Sequence, residues 1–313
     1  MKILIVGYGA HAKRRIIPAL KKIEQISEIH LISDRDLSKD DIGEVKIFNY
    51  SELKNIDVTY DLILISNYPV KHMDLFKKVK NFGSKFIIEK PITSKLELLL
   101  KNEYDLIFQD KLVYESNAFL FHPVYQAVKD IMRSKNITKV VSSFTIPKLN
   151  KDNYRYNKEL GGSSILDQGV YPISLTINLF KTNFNIKQYK VFYDEKLNID
   201  TGGTLLAKAL DGIEVELNWG INQEYKNELT ILSKNKEIYF PFIFSKPENH
   251  TSSYFELGKE SNKEILIGNF DQFQLMYEQV LFETKSNGDN ELDELKYKYN
   301  LIKNMLDNKQ ELI

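Results

Sequence analysis

The stretch Met1-Lys2-Ile3-Leu4-Ile5-Val6-Gly7-Tyr8-Gly9-Ala10-His11-Ala12 decides the fold. Ile3–Val6 is an unbroken apolar run, which predicts a short strand buried on both faces. The pattern G-x-G-x-x-A follows at once and opens a helical pattern that reaches about Glu24. Gly7 allows the tight turn, Gly9 lets the backbone approach a pyrophosphate, and the small Ala12 permits close helix–strand packing. The helix start around Ala10 and His11 offers free N–H groups to an anion. The stretch reads as a dinucleotide-binding turn.

Working outward, the first third alternates apolar strands with amphipathic helices. Glu28–Ser33 is a second strand ending in Asp34. Asp61–Ser66 and Lys85–Glu89 are further strands, with a helix between them from near Val70 to Gly83, and Leu106–Glu115 closes the series. Strand, helix, strand in repetition implies a parallel sheet with right-handed crossovers. Asp34 at the end of the second strand would accept hydrogen bonds from the ribose hydroxyls of NAD, while Ser33 and Arg35 could hold the 2′-phosphate of NADP, with Arg14 adding positive charge. The cofactor is read as NAD or NADP, leaning to NAD through Asp34.

Phe121-His122-Pro123 marks the step into a helix at Val124–Arg133, after which the pattern changes. Longer, alternating strands are expected at Val140–Ile146, Gln188–Tyr193, Thr204–Ala209, Glu214–Gly220, Asn227–Ser233 and Glu237–Phe240. Asp211-Gly212 is a hairpin signal, and Ser233–Lys236 suits a tight turn. Such a series argues for an antiparallel sheet. Phe242–Asn269 is read as a loop that shapes the substrate pocket, and a charged final helix from about Asn290 is expected to pack back on the body. The fold class is therefore an α/β N-terminal Rossmann domain, residues 1–116, plus an α+β C-terminal domain, residues 117–313, with a large, mostly antiparallel sheet.

Bulk properties narrow the function. The 313 residues carry 43 basic and 43 acidic side chains, so no basic excess argues for nucleic acid. The absence of cysteine excludes disulfides, thiolate metal sites and a cysteine nucleophile. No apolar stretch is long enough for a signal core or a membrane span, and a cytoplasmic location is expected. No His/Asp/Glu cluster has metal-ligand spacing, so no metal is expected.

Two distant stretches carry the chemistry. Glu89-Lys90-Pro91 ends a buried strand, and Gly161-Gly162-Ser163-Ser164-Ile165-Leu166-Asp167-Gln168-Gly169-Val170-Tyr171-Pro172 is a glycine-led turn opening a helix. Asp167 and Tyr171, four residues apart, would stack on one helical face. A lysine, a tyrosine and a carboxylate brought near a nucleotide turn would form a hydride-transfer site. Lys90 would stabilise a developing alkoxide and lower the pKa of a neighbouring phenol. Tyr171 would donate the proton in reduction, and Asp167 would orient a substrate hydroxyl or Lys90. His122 at a loop–helix junction is read as structural or pocket-lining.

These landmarks, in this order, make the chain resemble the glucose–fructose oxidoreductase / inositol dehydrogenase family of NAD(P)-dependent enzymes over nearly its whole length. Within that family it looks most like the nucleotide-linked 3-ketosugar reductases. That narrower likeness is carried by Ala12-Lys13-Arg14-Arg15-Ile16-Ile17-Pro18-Ala19-Leu20, Phe119-Leu120-Phe121-His122-Pro123, Asp200-Thr201-Gly202-Gly203 and Tyr225-Lys226-Asn227. Asn67 departs from it, standing where a proline is usual. The resemblance implies that Ser66, Asn67, His72, Glu89 and Lys90 join the glycine turn in holding the cofactor, and that the Lys90-Pro91 bond is often cis. It implies reduction of a keto group, C3 by this likeness, on a nucleotide-activated deoxysugar. Dehydrogenation of a free sugar or cyclitol is the alternative enzyme reading, and a cofactor-sensing regulator without turnover is the non-enzyme reading. A homodimer or homotetramer through the C-terminal sheet is expected.

Overall fold

A computed structural model describes residues 1–34, 45–55, 57–100, 108, 111–133, 136–247, 249–259, 261–283 and 288–308. Two compact units emerge, Met1–Ser116 with Phe273–Asp293, and Asn117–Gln272 with Glu294–Ile313.

The first unit is built on six parallel strands: β1 (Lys2–Val6), β2 (Glu28–Ile32), β3 (Lys46–Phe48), β4 (Leu62–Ile65), β5 (Lys85–Ile88) and β6 (Leu112–Glu115). Their spatial order is β3-β2-β1-β4-β5-β6, and every pairing is parallel. This is the doubly wound order whose chain reversal falls between β1 and β4, where such sheets bind ligands at the strands' carboxyl ends. Ile3–Val6, Leu62–Ile65 and Phe86–Ile88 are buried, as a sheet covered on both faces requires. β3 was not legible in the sequence; it has three residues, none fully buried, on the sheet edge. Of the strand expected at Leu106–Glu115, only Leu112–Glu115 is seen, and most of its earlier part lies outside the described residues. The first helix stops at Leu20 rather than near Glu24, because Lys22 N and Ile23 N donate to carbonyls three residues back and tighten the final turn.

The segment Phe273–Asp293 groups with the nucleotide domain rather than with the sheet domain. Lys85 Nζ donates to Leu281 O at 2.5 Å and Glu283 O at 2.8 Å, and Tyr114 Oη donates to Glu283 Oε2 at 2.6 Å. An ammonium on the last carbonyls of the helix Gln272–Phe282 is a favourable cap.

The second unit carries eight strands: β7 (Ile137–Thr145), β8 (Phe184–Asp194), β9 (Ile199–Ala209), β10 (Glu214–Gly220), β11 (Lys226–Ser233), β12 (Lys236–Pro241), β13 (Thr251–Gly258) and β14 (Asn262–Asn269). Their order is β14-β13-β12-β11-β7-β10-β9-β8. All pairs are antiparallel except β7–β10. The expected loop at Phe242–Asn269 is thus corrected. It contains β13 and β14, a hairpin that extends the sheet to its edge. The polar residues that suggested a loop belong to these two strands, and β14, at the sheet edge, has no fully buried residue.

One helix, α1 (Val170–Phe180), crosses the inner face of this sheet after a π-bonded stretch at Ile165–Gly169. Its seat is Trp219, 1% exposed. A Cβ on Gly203, the cross-strand partner of Trp219, would lie 2.3 Å from Trp219 Cζ2. One on Gly169 would lie 3.1 Å from Trp219 Cγ. The indole fills the space that both glycines leave open. Gly203→Ala is therefore expected to overpack this contact and destabilise the protein by about 1–3 kcal/mol, measured by urea unfolding.

Candidate active site

In the first unit the backbone at the end of β1 is tied to both neighbouring strands: Gly7 N donates to Ile32 O and Ser66 N to Val6 O, each at 2.9 Å. Gly7 has φ +103°, and a Cβ there would lie 2.2 Å from Ser66 O. Only glycine fits this turn. Gly9 is different, since a Cβ on it would meet nothing within 4 Å. Its lack of a side chain answers to no protein neighbour and suits the close approach of a pyrophosphate. Lys13 N donates to Gly9 O at 3.1 Å, so the N–H groups at Ala10, His11 and Ala12 are those a helix start leaves for an anion. Ala12–Ile16 is π-bonded, as is Ile165–Gly169 in the second unit; such turns recur at functional sites.

Of the other sequence-predicted residues of this unit, Asn67 and Glu89 reach the turn, beside Gly7 and His11 respectively. Glu89 Oε1 accepts from Ser116 Oγ at 2.8 Å and lies 3.2 Å from His11 Nε2. Burial pushes the Glu89 carboxyl up, but His11, Ser116 and Lys90 outweigh it and hold the group below its ordinary range. His72, 1% exposed, faces Pro91 O at 2.9 Å through Nδ1 and Asn67 O at 2.8 Å through Nε2. It braces the loops after β4 and β5, and burial lowers its pKa. Asn67 Nδ2 donates to Tyr50 Oη at 3.3 Å, while its Oδ1 accepts from Tyr68 N at 2.8 Å. Lys90 is half-buried, and the Lys90–Pro91 peptide bond is cis.

Ser33 is buried, with its N–H on Phe48 O, and Asp34 is exposed, with Oδ1 accepting from Tyr50 N at 3.2 Å. Arg14 is exposed and donates from Nε to Ala10 O at 3.3 Å. Arg35 lies outside the described residues.

The second unit holds Asp167 and Tyr171. The helix start that precedes them is capped from a remote strand: Asp200, fully buried on β9, accepts from Ser163 Oγ at 2.5 Å, from Ser164 Oγ and from Ile165 N at 2.7 Å. Burial raises the Asp200 pKa, and the three donors act against it. Asp167 is buried and ion-paired with Arg155, whose Nε donates to Oδ2 and whose Nη2 donates to Oδ1 at 3.3 Å. Gln168 Nε2 also donates to Oδ2. The Tyr171 ring is half-buried against Phe144 at 4.8 Å, Phe244 at 5.5 Å and Phe119 at 5.9 Å.

His122 caps the helix Pro123–Met132 by accepting from Val124 N at 3.1 Å. Burial, with Lys246 nearby, drives its pKa down to about 3, so it is neutral at physiological pH. Among the described residues no cluster could hold a metal, and no helix is long and apolar enough to cross a membrane.

Residues 1–102 match the model of an oxidoreductase family with an NAD-binding Rossmann fold. The N-terminal third of the chain thus resembles this family. The chain carries an NAD(P)-binding domain followed by a sheet domain. It is 23% identical over 286 residues, 87% of this chain and 84% of the relative, to a dTDP-3,4-didehydro-2,6-dideoxy-alpha-D-glucose 3-reductase from Actinomadura kijaniata. A reductase of the same name from Streptomyces violaceoruber is 25% identical, over 80% of this chain and 75% of that one. Among solved structures, a tyrosine-to-phenylalanine mutant of KijD10, a 3-ketoreductase from Actinomadura kijaniata in complex with TDP-benzene and NADP, superposes with a TM-score of 0.85 at 18% identity over 97% of each chain. The lean toward NAD drawn from Asp34 gains no support. One oxygen of Asp34 is already engaged by Tyr50 N, and that solved relative holds NADP.

Sequence reasoning missed three groups. Arg155 has no motif of its own, Asp200 entered only as part of a stretch carrying the family likeness, and Lys246 lay in the supposed loop. Lys246 is 7% exposed, donates to Ile243 O at 3.0 Å and lies 3.4 Å from Gln272 Oε1. Burial pushes its pKa down to about 7. Unfolded, a lysine keeps its proton to about 10.4, so between about pH 7 and 10 the unfolded chain binds the extra proton and stability rises with pH. Wild type should therefore gain stability relative to Lys246→Met over pH 7.5–9.5, by about 1.4 kcal/mol per pH unit at most, in urea melts.

Proposed function

We propose that the protein is an NADP-dependent reductase of the C3 ketone of a nucleotide-linked deoxysugar. The observation that carries this reading is that four reductases of one name align with 79–87% of the chain. The residues of each unit suit it chemically. The Gly7–Ala12 turn, Ser66, Asn67 and the Glu89–Lys90 strand end would hold the cofactor, with Ser33 at the adenosine ribose. A bound reduced nicotinamide supplies the hydride.

In the second step of the proposal, Tyr171 donates its phenolic proton to the ketone oxygen as the C–H bond forms. Lys90 contributes positive charge that favours the alkoxide and the resulting phenolate. Asp167 is assigned a part beyond the one read in the sequence. It holds Arg155 through two hydrogen bonds. Tyr171 suits a proton donor because three apolar rings fix its plane while part of it stays exposed.

The test follows nicotinamide absorbance with NADPH and NADH against dTDP-linked 3-ketosugars, free sugars and cyclitols. Turnover restricted to the nucleotide-linked ketosugars with NADPH is expected, and Tyr171→Phe should lower kcat by about 10²–10⁴-fold. Turnover of free sugars alone would replace the reading with a sugar dehydrogenase. Cofactor binding with no turnover on any substrate would replace it with a regulator.

The proposal extends to self-association through the outward face of the eight-stranded sheet, where Phe192 and Leu206 are exposed on neighbouring strands. Sedimentation velocity at micromolar concentration should give a homodimer or homotetramer, and a monomer alone would overturn this.

A further inference from the structure

The second unit contains a cation that the sequence did not disclose, and its surroundings set it in one place. Arg155 lies in a short helical turn, Tyr154–Tyr156, started by Asn153, whose Oδ1 accepts from Arg155 N at 3.1 Å. A second turn, Lys158–Leu160, is started in the same way by Asn157 and ends at Gly161 with φ +89°. The chain then passes so close beneath that a Cβ on Gly162 would lie 2.5 Å from Arg155 O. The two asparagines and the two glycines fold the segment back onto the start of the helix that bears Asp167 and Tyr171.

The guanidinium is clamped. Nε and Nη2 are both directed at the Asp167 carboxylate, a two-point pairing that fixes its plane. It also stacks over the Tyr154 ring at 4.8 Å. Among the described residues Nη1 has no acceptor, and the side chain is 27% exposed against 7% for Asp167. Burial works against its charge, but Asp167 and the phenols of Tyr154 and Tyr171, when ionised, outweigh burial and raise its hold on the proton. Asp167, which the guanidinium grips at two points, precedes Tyr171 by one turn of the same helical run, so the pairing sets the cation on the flank that leads to Tyr171. The rings packed on Tyr171, Phe119, Phe144 and Phe244, bring no charge.

We propose that Arg155, held in place by Asp167, is the cation that the sheet domain itself sets beside the Tyr171 phenol, so that charge left on that oxygen after proton transfer is met within the domain. Arg155 is then a positioning residue that acts through Tyr171, and its meaning for turnover rests on the reductase reading. A merely structural Arg155–Asp167 bridge would hold the loop down without favouring either ionisation state of the phenol.

The test needs no substrate. A phenolate absorbance titration of wild type minus Tyr171→Phe isolates the Tyr171 midpoint, and the same difference is taken in each variant background. Arg155→Met should raise the midpoint by about one pH unit or more, Arg155→Lys should leave it near wild type, and Asp167→Asn should lower it by removing the opposing charge. Shifts of opposite sign support the proposal. No shift, or shifts in one direction for both charge-removing variants, would overturn it. Circular dichroism checks the fold of each variant. If Arg155→Met does not fold, Asp167→Asn decides, since a fall supports the proposal and no change or a rise overturns it. Opposite shifts in a protein that turns over no ketosugar would remove the reductase reading and leave the pairing standing.

Discussion

A buried carboxylate at the start of one helix underlies the second unit. Asp200 collects Ser163 Oγ, Ser164 Oγ and Ile165 N and so supplies the acceptors that the helix start lacks. Each donor left unmade in such a buried place would cost about 1–3 kcal/mol. The chain must therefore place β9 and the Ser163–Ile165 turn together before Asp167 and Tyr171 can have defined positions. Trp219 then sets the spacing, because Gly203 on the strand and Gly169 on the helix leave room for its indole and for nothing larger. The polar cap fixes where the helix begins, and the indole fixes how closely it lies on the sheet.

The first unit solves a similar problem with backbone groups. Its turn is held from both sides by Ile32 O and Ser66 N, and His72 links the loops that follow β4 and β5 through two carbonyl groups. Glu89 is stabilised as an anion by His11, Ser116 and Lys90 despite its burial. Charges in both units are thus matched locally by short contacts, which keeps their side chains in single orientations before any ligand arrives.

Parts of this were legible in the chain and parts were not. Ile3–Val6 followed by Gly7 and Gly9 required a buried parallel strand and a nucleotide turn, since both signals depend on adjacent residues. The Asp211-Gly212 hairpin was equally local, and Gly212 has φ +91°. β13 and β14 escaped because β14, on the edge, buries no residue and β13 buries only Ser252 and Ser253, so neither shows an apolar alternation. Asp167 was recognised from its place in the glycine-led turn, but its pairing with Arg155 was not. Four-residue helix spacing pointed to Tyr171, whereas Arg155, which also pairs with the carboxylate, lies twelve residues earlier in a turn with no local signal.

The sequence by itself determined the periodic elements, the glycine turn with its anion-ready helix start, the Glu89-Lys90-Pro91 strand end and the identity of the tyrosine after the glycine pair. Each follows from hydrophobic period or from a steric demand within a few residues. The tertiary structure alone decided that Asp200 caps the Tyr171 helix, that Arg155 claims Asp167, that Lys246 is buried with a weakened hold on its proton, and that Phe273–Asp293 joins the nucleotide domain. These depend on which distant side chains the folded path brings within hydrogen-bonding reach and on how much water it removes from them. Neither quantity is written in local spacing.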